Sequence, residues 1–189
     1  VILGAGASSR MRGRDKLFEL VDGTPILTRL VNMAQDFGDI YVTSPSPNHP
    51  RHALLTGTQA TPIYVPDAAD GMSASIKRAC AAISETSATG MMILTGDLPD
   101  LTDAHFSQMC AEWVKDETRY VQAKDRDGQS GHPVIIPKSG WADIDALQGD
   151  IGLRNILHEK HVDYILFNDY GPTLDLDTPE AWDKWRTAR

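Results

Sequence analysis

The chain has 189 residues, 41% of them hydrophobic and 23% charged, and a formal net charge of −8. That length suits one domain, residues 1–189, with a sizeable core, while the acidic balance argues against a nucleic-acid-binding surface. No apolar run approaches the ~20 residues that span a bilayer, and the isolated Cys80 and Cys110 read as buried thiols in a reducing cytoplasm, not as a disulfide or metal pair.

Val1, Ile2 and Leu3 read as the end of a buried strand, with no charged-then-apolar leader ahead of them, and a few native residues are expected before Val1. A small-residue loop follows, Gly4-Ala5-Gly6-Ala7-Ser8-Ser9, and then Arg10, Arg12, Arg14 and Lys16. Thr24-Pro25 reads as a helix start, with Thr24 as N-cap and Pro25 at the first position, and the apolar spacing from Ile26 to Ala34 continues it. Ile40–Val42 reads as a strand, 44–50 as a proline-rich loop, Ile63–Val65 as a strand and Met72–Ser84 as a helix. The continuous apolar run Met91–Leu94 has the character of a central strand covered on both faces. A helix is predicted from about Thr102, with Phe106, Met109, Cys110 and Trp113 inward. Tyr120–Ala123 and Pro133–Ile136 read as strands around a polar turn over 125–131. Helical segments near Trp141–Leu147 and Gly152–His158 come next, then strands at Val162–Phe167 and Leu174–Leu176, and a closing helix over Pro179–Ala188. Alternation of this kind predicts a three-layer α/β/α domain with a mostly parallel sheet.

In such folds ligands bind beyond the carboxyl ends of the strands. Three motifs fall there: the small-residue loop after the first strand, the 66–75 loop after the third, and Asp97 after the Met91–Leu94 strand. Glycines let a backbone approach a ligand closely, and successive N–H groups in such a loop converge on an anion. Four cations within seven residues of an acidic chain then suit a polyphosphate. Lys16 and Arg10 are the choices for direct contact, whereas Arg12 and Arg14 are as well read as solvated. Ser8 and Ser9 suit either phosphate contact or a tight turn. Asp97, held between Gly96 and the Leu98-Pro99 step, is the main candidate for Mg²⁺, which favours one or two carboxylates with waters and substrate phosphates; the plainer reading is a turn cap. Asp177, or Asp175, is the second candidate, because strand alternation would put both on one face. His158 and His161 lack a third ligand and read as surface residues.

Leu3-Gly4-Ala5-Gly6, Ser9-Arg10-Met11, Gly13, Asp15-Lys16 and Gly96-Asp97-Leu98-Pro99 together resemble the signature of the molybdenum-cofactor nucleotidyltransferases, the MobA-like NTP transferases of the nucleotide-diphospho-sugar transferase fold. The resemblance runs from Val1 to about Trp182. Within it, the loop Pro66-Asp67-Ala68-Ala69-Asp70-Gly71-Met72-Ser73-Ala74-Ser75, the triplet Gly131-His132-Pro133 and the closing Asp175-Leu176-Asp177-Thr178-Pro179-Glu180 resemble the cytidylyltransferase branch. The guanylyltransferases of the family tend to carry two glycines in the first loop and Pro-Leu-Ala-Gly in the second. Two departures stand out: an extra residue between Met11 and Gly13, and Leu153 where a small residue is usual.

The resemblance implies transfer of CMP from CTP to the terminal phosphate of molybdopterin or its Mo-bound form, releasing pyrophosphate. In that scheme the Leu3–Ser9 segment (Leu3, Gly4, Ala5, Gly6, Ser8, Ser9) cradles nucleotide phosphates, and Arg10 with Lys16 offsets charge shed onto pyrophosphate. Asp97 and Asp177 hold Mg²⁺, and Pro66, Asp67, Gly71 and Ser75 approach base and ribose. His132 and the 149–154 segment, with Asp150 and Arg154, lie on the pterin side, although His132 is also readable as a structural histidine beside Pro133. A xanthine-dehydrogenase-type molybdoenzyme is the implied recipient. A phosphate monoester, with its second pKa near ~6, is already largely dianionic at pH 7, so positioning and charge stabilisation suffice. The absence of a nucleophile elbow or nucleophile–base pair agrees.

Three rivals are weighed. A dinucleotide-binding oxidoreductase would need a third glycine where Ser9 stands. A nucleotidyltransferase of the same fold could use GTP or a sugar phosphate. A non-catalytic delivery protein would have no need to keep Lys16, Asp97 and Asp177 together.

Overall fold

The computed structural model describes residues 1–150 and 152–189; Ile151, within the 149–154 segment named above, lies outside the described residues. In chain order the elements are β1 (Ile2–Leu3), β2 (Leu20–Val21), β3 (Thr24–Pro25), α1 (Ile26–Ala34), β4 (Tyr41–Ser44), β5 (Thr61–Tyr64), α2 (Met72–Ser84), β6 (Gly90–Thr95), α3 (Asp103–Trp113), β7 (Tyr120–Lys124), β8 (Ser130–Pro137), α4 (Arg154–His158), β9 (Val162–Leu166) and α5 (Pro179–Thr187). Among the described residues seven strands form one sheet, in the order β5-β4-β1-β6-β8-β7-β9. β5, β4, β1 and β6 run parallel, β8 runs antiparallel to both its neighbours, and β9 is parallel to β7. The mostly parallel α/β architecture expected from the alternation is therefore present.

The period-2 alternation of a strand divides the core. On β6, Met91 and Ile93 point to one face and Leu94 to the other. The first face receives α2, the 3-10 segment Lys138–Ala146 and α4, through Ile76, Cys80, Trp141, Ile144, Ile156 and Leu157. The second receives α1, α3 and α5, through Leu27, Leu30, Phe106 and Trp182. Cys80 and Cys110 are free thiols, with Cys80 buried and Cys110 half-buried. No described helix is long and apolar enough to cross a membrane.

Two expectations are corrected. Thr24-Pro25 does not open the helix. It pairs with Leu20–Val21 as a hairpin around Asp22-Gly23, whose φ values of 51° and 83° are those of a type I′ turn. Helix α1 then starts at Ile26, whose N–H donates to the Glu19 carbonyl. The segment Leu174–Leu176 is not a strand: it lies against the core without a ladder partner, held by the buried Leu176 side chain and by Trp182 Nε1–H donating to the Leu176 carbonyl at 3.0 Å. The helical segment expected near Trp141–Leu147 is present, as a 3-10 helix over Lys138–Ala146.

Candidate active site

The loop from Gly4 to Asp15 leaves the carboxyl end of β1. Gly4 is confined by its surroundings: its N–H donates to Thr43 Oγ1 at 2.9 Å, and a Cβ there would stand 2.8 Å from the Thr43 carbonyl oxygen. The chain then passes through left-handed backbone at Ser8 (φ 50°), Arg12 (φ 52°) and Gly13 (φ 87°). The amides of Ala5, Gly6, Ala7, Ser8 and Ser9 have no acceptor among the described residues. Five consecutive donors without a partner on a curved backbone suit an anion.

Asp97 follows β6 through Gly96, whose N–H bonds the Leu3 carbonyl. Leu98 and Leu101 are buried just beyond it and pin the turn. The Asp97 side chain is 7% exposed. Its Oδ2 accepts from Lys16 Nζ at 2.5 Å, while Oδ1 is buried with no partner. Lys16 Nζ also donates to Asp177 Oδ1 at 2.8 Å, and Arg10 Nη2 reaches Asp177 Oδ2 at 2.8 Å. Asp175 joins from the same segment, because burying Leu176 turns its two neighbours the other way. Oxygens of Asp97, Asp175 and Asp177 all lie within 4.8 Å of one another. Burial works against the Lys16 ammonium, but the Asp97 and Asp177 carboxylates outweigh it and hold its pKa above the ordinary lysine value. Burial first, then the charges of Asp97 and Asp177, push the Asp175 carboxyl above the ordinary range.

The loop and the acidic cluster face one cavity of about 710 Å³. Its lining includes Leu3, Gly4, Ala5, Gly6, Ser8, Ser9, Arg10, Lys16, Gly71, Ser75, Asp97, Asp150, Asp175 and Asp177, so the structure brings these predicted residues together. A second cavity, about 580 Å³, is lined by His132, Asp150, Arg154, Tyr164 and others. The two adjoin at Met72 and Asp150, which line both. Asp150 Oδ1 accepts from the Met72 N–H at 3.1 Å, and the Ser73 N–H donates to the Gly149 carbonyl. A Cβ at Gly71 would stand 2.5 Å from the Gly149 carbonyl carbon, so only glycine lets these two loops touch. His132 Nδ1 lies 3.2 Å from the Ile93 carbonyl, and burial lowers its pKa.

Other predicted residues fall elsewhere. Pro66 and Asp67 do not line the first cavity: the Asp67 carboxylate turns away to pair with Arg78. Of the four loop cations only Arg10 and Lys16 line it. The left-handed turn at Arg12-Gly13 carries the chain outward, where Arg12 pairs with Glu180 and Arg14 with Glu19. His161 is exposed, and His158 lines the second cavity. Sequence reasoning missed Arg51, which sits in the 3-10 helix Pro50–Leu55, is almost wholly buried and lines the first cavity. Its signal was an Arg directly after the proline-rich stretch 44–50, in a segment to which the sequence pattern assigns no element.

The family model described as "MobA-like NTP transferase domain" matches residues 1–164. A probable molybdenum cofactor guanylyltransferase of Nostoc sp. (strain PCC 7120 / SAG 25.82 / UTEX 2576) is 30% identical over 102 residues, which are 53% of this chain and 46% of that protein. The chain thus matches less than half the length of that relative. Rv0371c of Mycobacterium tuberculosis H37Rv superposes with a TM-score of 0.80 at 24% identity, covering 97% of this chain and 95% of that one. Its complex with manganese gives 0.78 at 22% identity, covering 100% and 97%. The molybdopterin-guanine dinucleotide biosynthesis protein A of Archaeoglobus fulgidus gives 0.73 at 15% identity, covering 99% and 96%. At these identities the solved structures establish the fold.

Proposed function

The chain belongs to the MobA-like NTP transferase family, and from that premise we propose that it is a nucleotidyltransferase acting on the terminal phosphate of molybdopterin. In this reading residues 1–189 act as one domain in the cytoplasm, the donor is CTP, and a phosphate oxygen of the acceptor bonds to the α-phosphorus as the bond to pyrophosphate breaks. The observation that carries the proposal is the convergence of a free-amide loop, two cations and three carboxylates on one cavity that opens onto a second.

Asp97, Asp175 and Asp177 fit a divalent cation such as Mg²⁺. Their donors are hard carboxylate oxygens, and Asp97 Oδ1 is buried and unpartnered. The manganese complex of Rv0371c supports the same class of ion. When bound, a cation there would offset charge on the nucleotide phosphates. The chain's own groups do the rest. The Ala5–Ser9 amides hold the phosphates, Arg10 and Lys16 offset the charge that develops on the departing pyrophosphate, and the Met72–Asp150 junction lets the acceptor phosphate meet the α-phosphate from the neighbouring cavity. No side chain must remove a proton from the acceptor, since a phosphate monoester is mostly dianionic at neutral pH.

CTP is favoured by Ala5-Gly6 and by the Gly71–Ser75 sequence, which resemble the cytidylyl branch. GTP is the second reading, favoured by the name of the Nostoc relative. A xanthine-dehydrogenase-type apoenzyme is the proposed recipient of the product. Pyrophosphate release from CTP, GTP and UTP, each with molybdopterin, tests the proposal: release from CTP above the others supports it, release from GTP selects the second reading, and release from none removes the activity.

A further inference from the structure

Arg51 lies under the phosphate loop with its side chain 4% exposed. Its guanidinium donates to Asp15 Oδ2 from Nε at 2.6 Å and to Asp15 Oδ1 from Nη2 at 2.9 Å. The same Nη2 reaches Ser8 Oγ at 3.1 Å, and Nη1 donates to the Gly4 carbonyl at 2.5 Å. One side chain therefore ties together the start, the middle and the end of the loop. Asp15 in turn accepts from Ser8 Oγ and from the Leu17 N–H, and so caps the short helical turn that carries Lys16. Burial works against ionising Asp15, but Arg51 outweighs it and holds the carboxyl below the usual range.

Outside its buried anchors, Ala5 and Met11, and the Gly4–Thr43 bond, few contacts fix the free-amide stretch. The only backbone bonds inside the loop among the described residues run from Met11 to Ser8 and from Arg14 to Met11. A loop that kept its amides unpaired without an external brace would fold back on its own carbonyls or sample many shapes. The charge of Arg51 is not the main effect, because Asp15 cancels it at hydrogen-bond distance. Its geometry is: a planar fork spreads five donors over three nitrogens in fixed directions, whereas the three donors of an ammonium radiate from a single nitrogen on a flexible stem.

We propose that Arg51 is a positioning residue that holds the Gly4–Asp15 loop ready for a nucleoside triphosphate before the nucleotide arrives. The proposal rests on the reading of this loop as the triphosphate site. The free loop then loses little conformational entropy on binding, and affinity for the polyphosphate rises for that reason. The donors of Arg51 are taken up by Gly4, Ser8 and Asp15, and its influence passes through them to the turn bearing Lys16.

The test compares the wild type with R51K and R51M by amide NMR order parameters of the loop without ligand, and by KM and kcat for CTP and GTP. R51K keeps the charge and loses the fork. It should lower the order parameters of Ala5–Ser9 from about 0.85 to below about 0.6 and raise KM for the nucleotide by about tenfold, with a much smaller fall in kcat. R51M should do both more strongly. If R51M does not fold, R51K carries the test alone. A lower melting temperature for R51K with unchanged loop order parameters and unchanged KM would reduce Arg51 to a packing residue and overturn the proposal. If the wild type uses neither CTP nor GTP, the proposed activity fails by itself. The order parameters still decide whether Arg51 braces the loop.

Discussion

The Lys16 ammonium stands 2.5 Å from Asp97 Oδ2 and 2.8 Å from Asp177 Oδ1, so a side chain just past the Gly4–Asp15 loop offsets part of the charge of the carboxylates that suit a divalent cation. Each charge has two candidate partners. Lys16 can serve the carboxylates or a polyphosphate, and the carboxylates can serve Lys16 or a metal ion. A metal ion alone must displace an ammonium that has nowhere better to go. A nucleotide brings the anion that draws Lys16 away. Metal and nucleotide should therefore bind with positive coupling, and by linkage the coupling is reciprocal.

Mn²⁺ binding, followed by the spectrum of the free ion, checks this. The wild type should bind Mn²⁺ about tenfold more tightly with nucleotide than without, within the usual range of coupling energies. K16M should bind Mn²⁺ alone more tightly than the wild type and nucleotide more weakly, and the coupling should shrink. Equal Mn²⁺ affinity in wild type and K16M would show that Lys16 does not hold the site.

Burial first, then the charges of Asp97 and Asp177, raise the pKa of Asp175. The sign follows from linkage. Between the unfolded value, near 3.8, and the raised folded value, the native chain binds more protons than the unfolded one, so stability falls as pH rises through that interval. D175N removes the repulsion. Without metal at neutral pH it should melt about 1–3 °C above the wild type, and its stability should fall less with rising pH from about 4 upward. With Mg²⁺ and nucleotide present the order should reverse, since the variant lacks one ligand. Melting curves over pH, with and without both ligands, read the two effects separately.

Trp182 is fully buried, and its indole N–H holds the Leu176 carbonyl, with an aspartate on either side of that residue. W182A should cost about 3–5 kcal/mol by the usual range for a buried aromatic, and lower the melting temperature by about 10 °C. W182F keeps most of the packing and loses the hydrogen bond. It should stay folded and bind Mn²⁺ with nucleotide more weakly than the wild type, because the Asp175–Asp177 segment has no ladder of its own. Thermal denaturation and the same Mn²⁺ titration separate stability from site geometry.

Much of the fold was legible, because apolar periodicity carries it: α2 and the β6 strand follow from residues whose burial decides their place. The junction at Thr24-Pro25 was misread because Asp22-Gly23 is a hairpin turn, and a proline after threonine looks the same at a strand end as at a helix start. Leu174–Leu176 alternates like a strand, yet its partner is a tryptophan indole, which no local pattern announces. In the candidate site, Lys16 and Asp97 stood in motifs. Arg51 did not, since its worth lies in contacts 36 and 47 positions away in the chain. Arg12 and Arg14 are equally readable from the sequence as phosphate ligands or as solvated, and the backbone turn and the facing acids give them other partners.

The most direct measurement is the set of backbone amide shifts on adding CTP or GTP with Mg²⁺. The largest changes should fall on Ala5–Ser9, Lys16 and Thr95–Asp97, they should need nucleotide and metal together for full size, and D97N should sharply reduce the metal's part. Saturating nucleotide and metal that left Ala5–Ser9 undisturbed, or that moved amides only elsewhere, would contradict it.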